Sequence, residues 1–390
     1  MIEIKGKHNT AKVMIDDIDQ TTYSQIQKFV NYPLFKGNIA IMPDTHAGKG
    51  SVIGFTMPFG ERICPNIIGV DIGCGMLSVN IGNKLKLDLA TLDNEIRKII
   101  PLGFIVHENS VRLPDYVYLS MKVGANYDRV CNSVGTLGGG NHFIEIGKDE
   151  NNDYWLTVHT GSRNLGKCVC DYWQKIAITD SQEKRKEEIA NILNGREPEE
   201  RSKFMAELKE TIPPIEKELS FLNPEKTKLY LEDMKQAQEY SSLNRKEIIN
   251  LIVKKLKLKT TETIESIHNY INFEDKIVRK GAIASYEGTK MIIPFNMRDG
   301  ILICEGKSNA EWNNSAPHGA GRVLSRSSAK ANLDLNTFKN QMKEVYSTSV
   351  NIHTLDEAPD AYKAASIIEK AIEPTAKIIN RIKPVLNIKA

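Results

Sequence analysis

The sequence predicts an α+β fold in one continuous domain that carries a charged helical insertion, on three observations. Up to about residue 170, short apolar runs alternate with glycine-rich turns and few segments have helical spacing. From Ser181 to Leu258, Lys and Glu dominate and glycine is nearly absent. From Thr263 strand-like segments resume, and no internal repeat or low-complexity linker divides the 390 residues. A chain of this length can bury a sizeable core as one large domain.

In chain order, Ile39–Met42, Val52–Met57 and Met76–Ile81 read as strands, Thr91–Ile100 as a helix, and Trp155–Val158 as a strand running into His159. Within the charged region, Glu183–Leu193 and Phe204–Thr211 carry helical apolar spacing, punctuated by Pro213-Pro214 and Asn223-Pro224. A solvated helical face accounts for these charges, and an RNA-contacting arm is the sharper alternative. Ala282–Tyr286, Met291–Pro294 and Gly300–Cys304 read as strands, and helical stretches are expected from His318 to the C-terminus.

Composition is that of a soluble globular protein: 41% hydrophobic and 26% charged residues. A net charge of +3 is too small to mark a nucleic-acid binder, so any basic surface must be local. There is no signal-like apolar region at the N-terminus and no run long enough to cross a bilayer. Six cysteines lack any framework or CxxC spacing, which points to free thiols and a cytoplasmic location.

The chemistry gathers on turns. In VDIGCGM (Val70–Met76), Asp71 and Cys74 sit three residues apart among glycines that allow close backbone approach. Such a pair can face one metal or bridge two; a cysteine packed as a small hydrophobe is the alternative. Histidines decide between them. His142 closes the run of glycines in GTLGGGNHFIEI, His159 opens HTGSR, His268 lies in SIHNY, His318 opens HGAGR, and His46 lies in PDTHAGKG. Imidazole and thiolate suit transition metals, and the carboxylate also suits Mn²⁺. Gly138–Gly140 could form an anion nest. If a helix starts at Ala320, Arg322 and Arg326 share one face as a phosphate clamp beside His318. A neutral imidazole there suits nucleophilic phosphoryl or nucleotidyl transfer, against the alternative of a helix-capping loop. Arg163, four residues after His159, adds a candidate phosphate contact, or else a surface ion pair.

With PDTHAGKG, GVDIGCGM, GTLGGGNHFIEI, HTGSR, His268-Asn269, HGAGR with SR, DEAPDAYK and the closing NIKA in this order, the chain resembles the RtcB family of RNA ligases nearly end to end. The resemblance implies that family's own mixed α/β single-domain fold, and use of GTP and two Mn²⁺ ions. It implies joining of RNA 3′-phosphate or 2′,3′-cyclic phosphate ends to 5′-hydroxyl ends in RNA repair or tRNA splicing, with an archease-like helper as a partner and no membrane. By the same resemblance, Cys74 bridges two metal positions, completed by Asp71 and His142 on one side and His159 and His268 on the other. His318 takes GMP as the nucleophile. Asn141 contacts GTP phosphate, Glu145 reads the guanine edge, Tyr362 and Lys389 line the guanine pocket, and Arg163, Arg322 and Arg326 contact phosphate or RNA. Where the family commonly has PGSMG, this chain reads PFNMRDG (Pro294–Gly300), and it ends in Ala390 rather than glycine. A metal-dependent phosphatase or nuclease on the same donors, and a non-enzymatic nucleotide or RNA binder, are the competing readings.

Overall fold

The computed structural model describes residues 1–109, 113, 123–197, 200, 201, 204, 205, 208 and 215–390. Its strands form three sheets. The sheet that positions the candidate ligands has seven strands, in the spatial order Lys290–Pro294, Ile301–Gly306, Ala376–Ile388, Phe143–Asp149, Tyr154–Thr160, Gly75–Asn80 and Thr263–Ile267. Every neighbouring pair in it is antiparallel.

Period-2 alternation explains its two buried faces. Leu77 and Val79 join Ile144, Ile146, Leu156, Val158, Leu386 and Ile388 in one core. Met76, Phe143, Trp155, Ile264, Ile292 and Ile303 form another. Ile264 and Ile292 come from opposite edges of the sheet, so it curls until those edges meet. Ser266 Oγ accepts the Ile292 N–H at 2.9 Å across the junction. A six-stranded sheet places Ile2–Lys5, Thr10–Val13, Ile39–Ile41, Phe55–Pro58, Ile277–Lys280 and Asn269–Asn272 side by side, and Ala282–Ala284 pairs with Ser315–Pro317. These sheets with flanking helices are the expected α+β class.

Two expectations are corrected. Residues 181–258 are not a solvated appendage. The first helix already begins at Arg163 and runs to Leu193. The second, Pro224–Leu256, is started by Asn223, whose side chain accepts the Lys226 N–H, with Pro224 in its first turn. This helix is central: Tyr230, Met234, Ala237 and Tyr240 belong to one core and Ile248, Ile249 and Ile252 to another. Its charges mask a buried stripe that the mean composition hides. The Phe204–Thr211 segment and Pro213-Pro214 fall largely outside the described residues.

The C-terminus is also not helical throughout. After the short helix Ala365–Ala371, Ala376–Ile388 is a strand inside the seven-stranded sheet. Pro384 cannot donate to a ladder, and the register shifts between Pro384 and Leu386 to accommodate it.

Candidate active site

Four neighbouring strands deliver the proposed ligands to one end of the sheet. Cys74 immediately precedes Gly75–Asn80, His142 precedes Phe143–Asp149, His159 lies near the end of Tyr154–Thr160, and His268 follows Thr263–Ile267. Pairing sets His159 opposite both Met76 and Phe143, and the His268 N–H donates to the Cys74 carbonyl at 2.9 Å. The Asp71–Cys74 turn is closed by the Cys74 N–H on the Asp71 carbonyl. Gly73 at φ +69° passes so close to the Pro224–Leu256 helix that a Cβ would lie 2.9 Å from Gln238 Cα and Ser241 Cβ. Only glycine fits there.

Two donor groups result, Asp71/Cys74/His142 and Cys74/His159/His268, each with its donor atoms within 4.8 Å of one another. Cys74 belongs to both. Its Sγ lies 3.3 Å from His159 Nε2 and 3.6 Å from His142 Nε2. His142 Nε2 is 2.9 Å from Asp71 Oδ2, and His159 Nε2 is 3.3 Å from His268 Nε2. The tautomers follow from the other ring nitrogen. His142 Nδ1–H donates to the Leu137 carbonyl at 3.0 Å and His159 Nδ1–H to the Asn141 carbonyl at 3.2 Å. The His142 Nε2 lone pair therefore points at the thiol and the Asp71 carboxylate, and that of His159 at the thiol and His268 Nε2, an arrangement that a cation resolves. Burial, then neighbouring imidazoles, push His159 and His268 well below the ordinary histidine range, leaving both rings in the neutral, metal-binding form. Burial and then the Asp71 carboxylate push the Cys74 thiol well up, so its thiolate needs a positive partner.

The support beneath these loops was not legible from the charged composition of its helix. Asn244 Oδ1 accepts the Gly135 and Thr136 N–H groups at 2.8 and 3.2 Å, and its Nδ2 donates to the Thr136 and Gly161 carbonyls at 3.2 Å. Arg245, fully buried, donates through Nη1 to the Gly73 carbonyl at 2.7 Å and the Thr160 carbonyl at 3.0 Å. Its Nη2 pairs with Glu265 at 2.8 Å. One helix thus ties together all three loops that carry Cys74, His142 and His159. Arg245→Met removes the bonds to the Gly73 and Thr160 carbonyls and to Glu265, leaving Ser241 and Ser242 as donors to Gly73 and Glu265; we expect a loss of about 1–3 kcal/mol in urea unfolding. An unchanged midpoint would remove Arg245 from this role.

His318 stands beside the donors, its ring 4.7 Å from that of His268. Asp44 of the PDTHAGKG loop holds it: Oδ2 accepts both the His318 backbone N–H at 3.1 Å and Nδ1–H at 2.5 Å. Asp44 is fully buried and its Oδ1 has no partner. Lys363 fixes the same loop by donating to the Pro43 and Thr45 carbonyls at 2.9 and 2.8 Å. His46 Nδ1 contacts the Asp44 carbonyl at 2.9 Å, and burial pushes its pKa down to about 4. Neither Asp44 nor Lys363 stood out in the sequence, although both lie within motifs that did.

A single cavity of about 290 Å³ contains Asp71, Cys74, His159, His268 and His318 together with Asn141, Glu145, Arg322, Arg326, Tyr362 and Lys389. Glu145 is 2% exposed; Asn387 Nδ2 donates to its Oε2 at 2.8 Å, while Oε1 has no partner. Burial outweighs the Asn387 amide and the Lys389 ammonium and pushes the Glu145 carboxyl up to about 8. Opposite lies Glu357, which sequence reasoning missed. It accepts Tyr362 Oη–H at 2.7 Å and Lys389 Nζ–H at 2.8 Å, and lies 3.1 Å from Arg326 Nη1 and 3.4 Å from Arg322 Nη1.

The shared helical face for Arg322 and Arg326 is corrected. The helix starts only at Arg326, capped by Ser325, and Arg322 forms an isolated bridge with Tyr362. Gly321 at φ +74° sits where a Cβ would be 2.2 Å from the Asp44 carbonyl oxygen, so glycine is required where this segment passes the Asp44 loop. Glu357, not helical spacing, brings the two guanidiniums together. Arg163 braces the glycine loop, with Nε donating to Thr136 Oγ1 at 3.1 Å and Nη2 to the Gly103 carbonyl at 2.8 Å. In the divergent PFNMRDG turn, Asn296 Oδ1 accepts the Arg298 and Asp299 N–H groups at 3.0 and 2.9 Å.

Comparison with known proteins agrees with this geometry. Residues 25–126 and 118–390 match the family model described as tRNA-splicing ligase RtcB. The chain is 29% identical over 413 residues to RNA-splicing ligase RtcB of Escherichia coli (strain K12), covering 95% of both chains. It is 30% identical to RNA-splicing ligase RtcB1 of a second Escherichia coli strain, with the same coverage. The tRNA-splicing ligase RtcB of Nanoarchaeum equitans is 24% identical over 95% of this chain and 92% of that one. The matched segments take in every donor and pocket residue described above, and the chain belongs to the RtcB family.

Proposed function

We propose that this protein is a GTP- and Mn²⁺-dependent RNA ligase that joins a 3′-phosphate or 2′,3′-cyclic phosphate end to a 5′-hydroxyl end through a guanylylated His318. The observation that carries the reading is His318, oriented by Asp44 and lining one cavity with Asp71, Cys74, His159, His268 and Glu145. A phosphatase or nuclease on the same donors would use the imidazole as a general acid or base and would form no GMP adduct. Six unpaired cysteines suit the reducing cytoplasm.

Asp71, Cys74 and His142 would hold one Mn²⁺, and Cys74, His159 and His268 the other. When bound, the two ions supply charge neutralisation for phosphates and alignment of attacking and leaving oxygens. Glu145 offers a buried acceptor to the N1–H and N2–H donors of guanine, and Lys389 and Tyr362 close that end of the cavity.

The chain's own groups then account for the steps. Because Asp44 accepts Nδ1–H, the His318 lone pair is on Nε2 and no proton need leave the ring before attack. Nε2 forms an N–P bond to the α-phosphorus of GTP while pyrophosphate departs with the electrons of the broken P–O bond. The ring becomes cationic, and the adjacent Asp44 carboxylate stabilises it. An RNA 3′-phosphate oxygen, produced by hydrolysis where the end is cyclic, takes GMP from His318. The 5′-hydroxyl then attacks the RNA phosphorus and GMP leaves. Arg322 and Arg326 would hold phosphate oxygens during these transfers.

The test is incubation with α-labelled GTP and Mn²⁺. An acid-labile GMP adduct is expected on the wild type and none on His318→Ala. A wild type that forms no adduct under these conditions overturns the reading.

A further inference from the structure

The most exposed large apolar side chains among the described residues are adjacent: Phe104 at 92% and Ile105 at 68%. A single exposed apolar residue needs no explanation. This pair is fastened to the active site. Leu102 bridges to Gly138, and the Gly103 N–H donates to the Gly138 carbonyl at 2.9 Å. Arg163 holds the Gly103 carbonyl from below, and the exposed Arg129 donates to the Phe104 carbonyl at 3.3 Å. From this turn, exposed Gly139 and Gly140 lead toward the cavity. A Cβ on Gly139 would lie 3.8 Å from Gly103 Cα, and one on Gly140 would lie 3.5 Å from Arg326 Nη2. The surface therefore has an aromatic end, a strip without side chains, and a cationic end that opens on His318.

We propose that Phe104 and Ile105 form a stacking platform for an unpaired base of the RNA strand whose end enters the cavity. The inference rests on the ligase reading for the identity of the strand. Charge favours RNA over a protein partner. Arg326 and Lys330 have side chains 46% and 52% exposed, whereas their partners Asp356 and Glu357 are buried, so the rim presents positive charge to solvent. An aromatic face beside guanidiniums, with bare backbone between them, matches what a single strand offers: π-faces and a phosphate chain. Ile105 widens the apolar surface.

The test uses the full chain and a fluorescent single-stranded oligoribonucleotide ending in 3′-phosphate, intact or with abasic nucleotides near that end. Phe104→Ala is expected to weaken binding of the intact strand about 5- to 150-fold, the effect of one lost base stack. Phe104→Trp should retain wild-type affinity. The abasic strand should bind wild type and Phe104→Ala equally, and the salt dependence should be shared, since stacking releases no counterions. Equal affinity of wild type and Phe104→Ala for the intact strand overturns the proposal. So does a defect that appears only when a helper protein is added, which would make the turn a protein-docking point. GMP-adduct formation without RNA reports separately on the ligase reading: its absence in the wild type sinks that reading, whereas its presence beside unaltered RNA binding by Phe104→Ala sinks only the platform.

Discussion

Cys74→Ala is expected to stop strand sealing and to lower the bound divalent metal from two ions per chain to one or none, measured on dialysed protein by elemental analysis. Cys74 Sγ is the one atom common to both donor groups. Removing it leaves His159 and His268 as a two-nitrogen remnant and Asp71 and His142 as an unbridged pair. Loss of an outer partner of a ligand already costs about 10- to 100-fold in affinity or activity, so loss of the bridge should exceed about 100-fold. Cys74→Ser should not rescue, because a hydroxyl does not ionise as a thiol does. Exhaustive chelation of the wild type should reproduce the defect, and Mn²⁺ should reverse it. Two ions retained by Cys74→Ala would remove the bridging role.

Asp44→Asn should slow guanylylation of His318 by about 10²- to 10³-fold, the range for losing one electrostatic contact to charge that develops in the transition state. The two side chains have nearly the same shape. Because the same oxygen position accepts the His318 backbone N–H, the amide turns its oxygen to the ring and keeps the tautomer, but it supplies no anion to balance the cationic adduct. Metal content should stay at the wild-type value, because Asp44 belongs to neither donor group. The single-turnover rate of adduct formation from labelled GTP is the measurement, and a wild-type rate would mean that the Asp44 charge does not balance the adduct.

How much of this was legible depended on sequence distance and on pattern. Asp71, Cys74, His142 and His159 sit beside strand ends in short glycine-bearing motifs, so residue type and local turn chemistry marked them before their convergence was visible, whereas SIHNY around His268 has no glycine. Asp44 and His318 are 274 positions apart, and nothing local in PDTHAGKG says which of its polar groups faces inward. Glu357 was hidden for the same reason, since its partners Arg322, Arg326, Tyr362 and Lys389 meet only in three dimensions. The Pro224–Leu256 helix was misjudged because its Lys and Glu residues mask the stripe that is buried, which itself includes Asp233, Asn244 and Arg245. The final strand was read among the helical stretches after His318, and it carries Pro384, which the sheet absorbs through the register shift beside it.

Arg245 and Asn244 give that helix one more consequence. The same rod that joins two hydrophobic cores grips the Gly73, Gly135–Thr136 and Thr160–Gly161 backbones, so no ligand loop can swing open alone. Metal retention and tertiary cooperativity would then be a single equilibrium, in which release of ions held by the two Cys74 groups is felt as a softening of both cores.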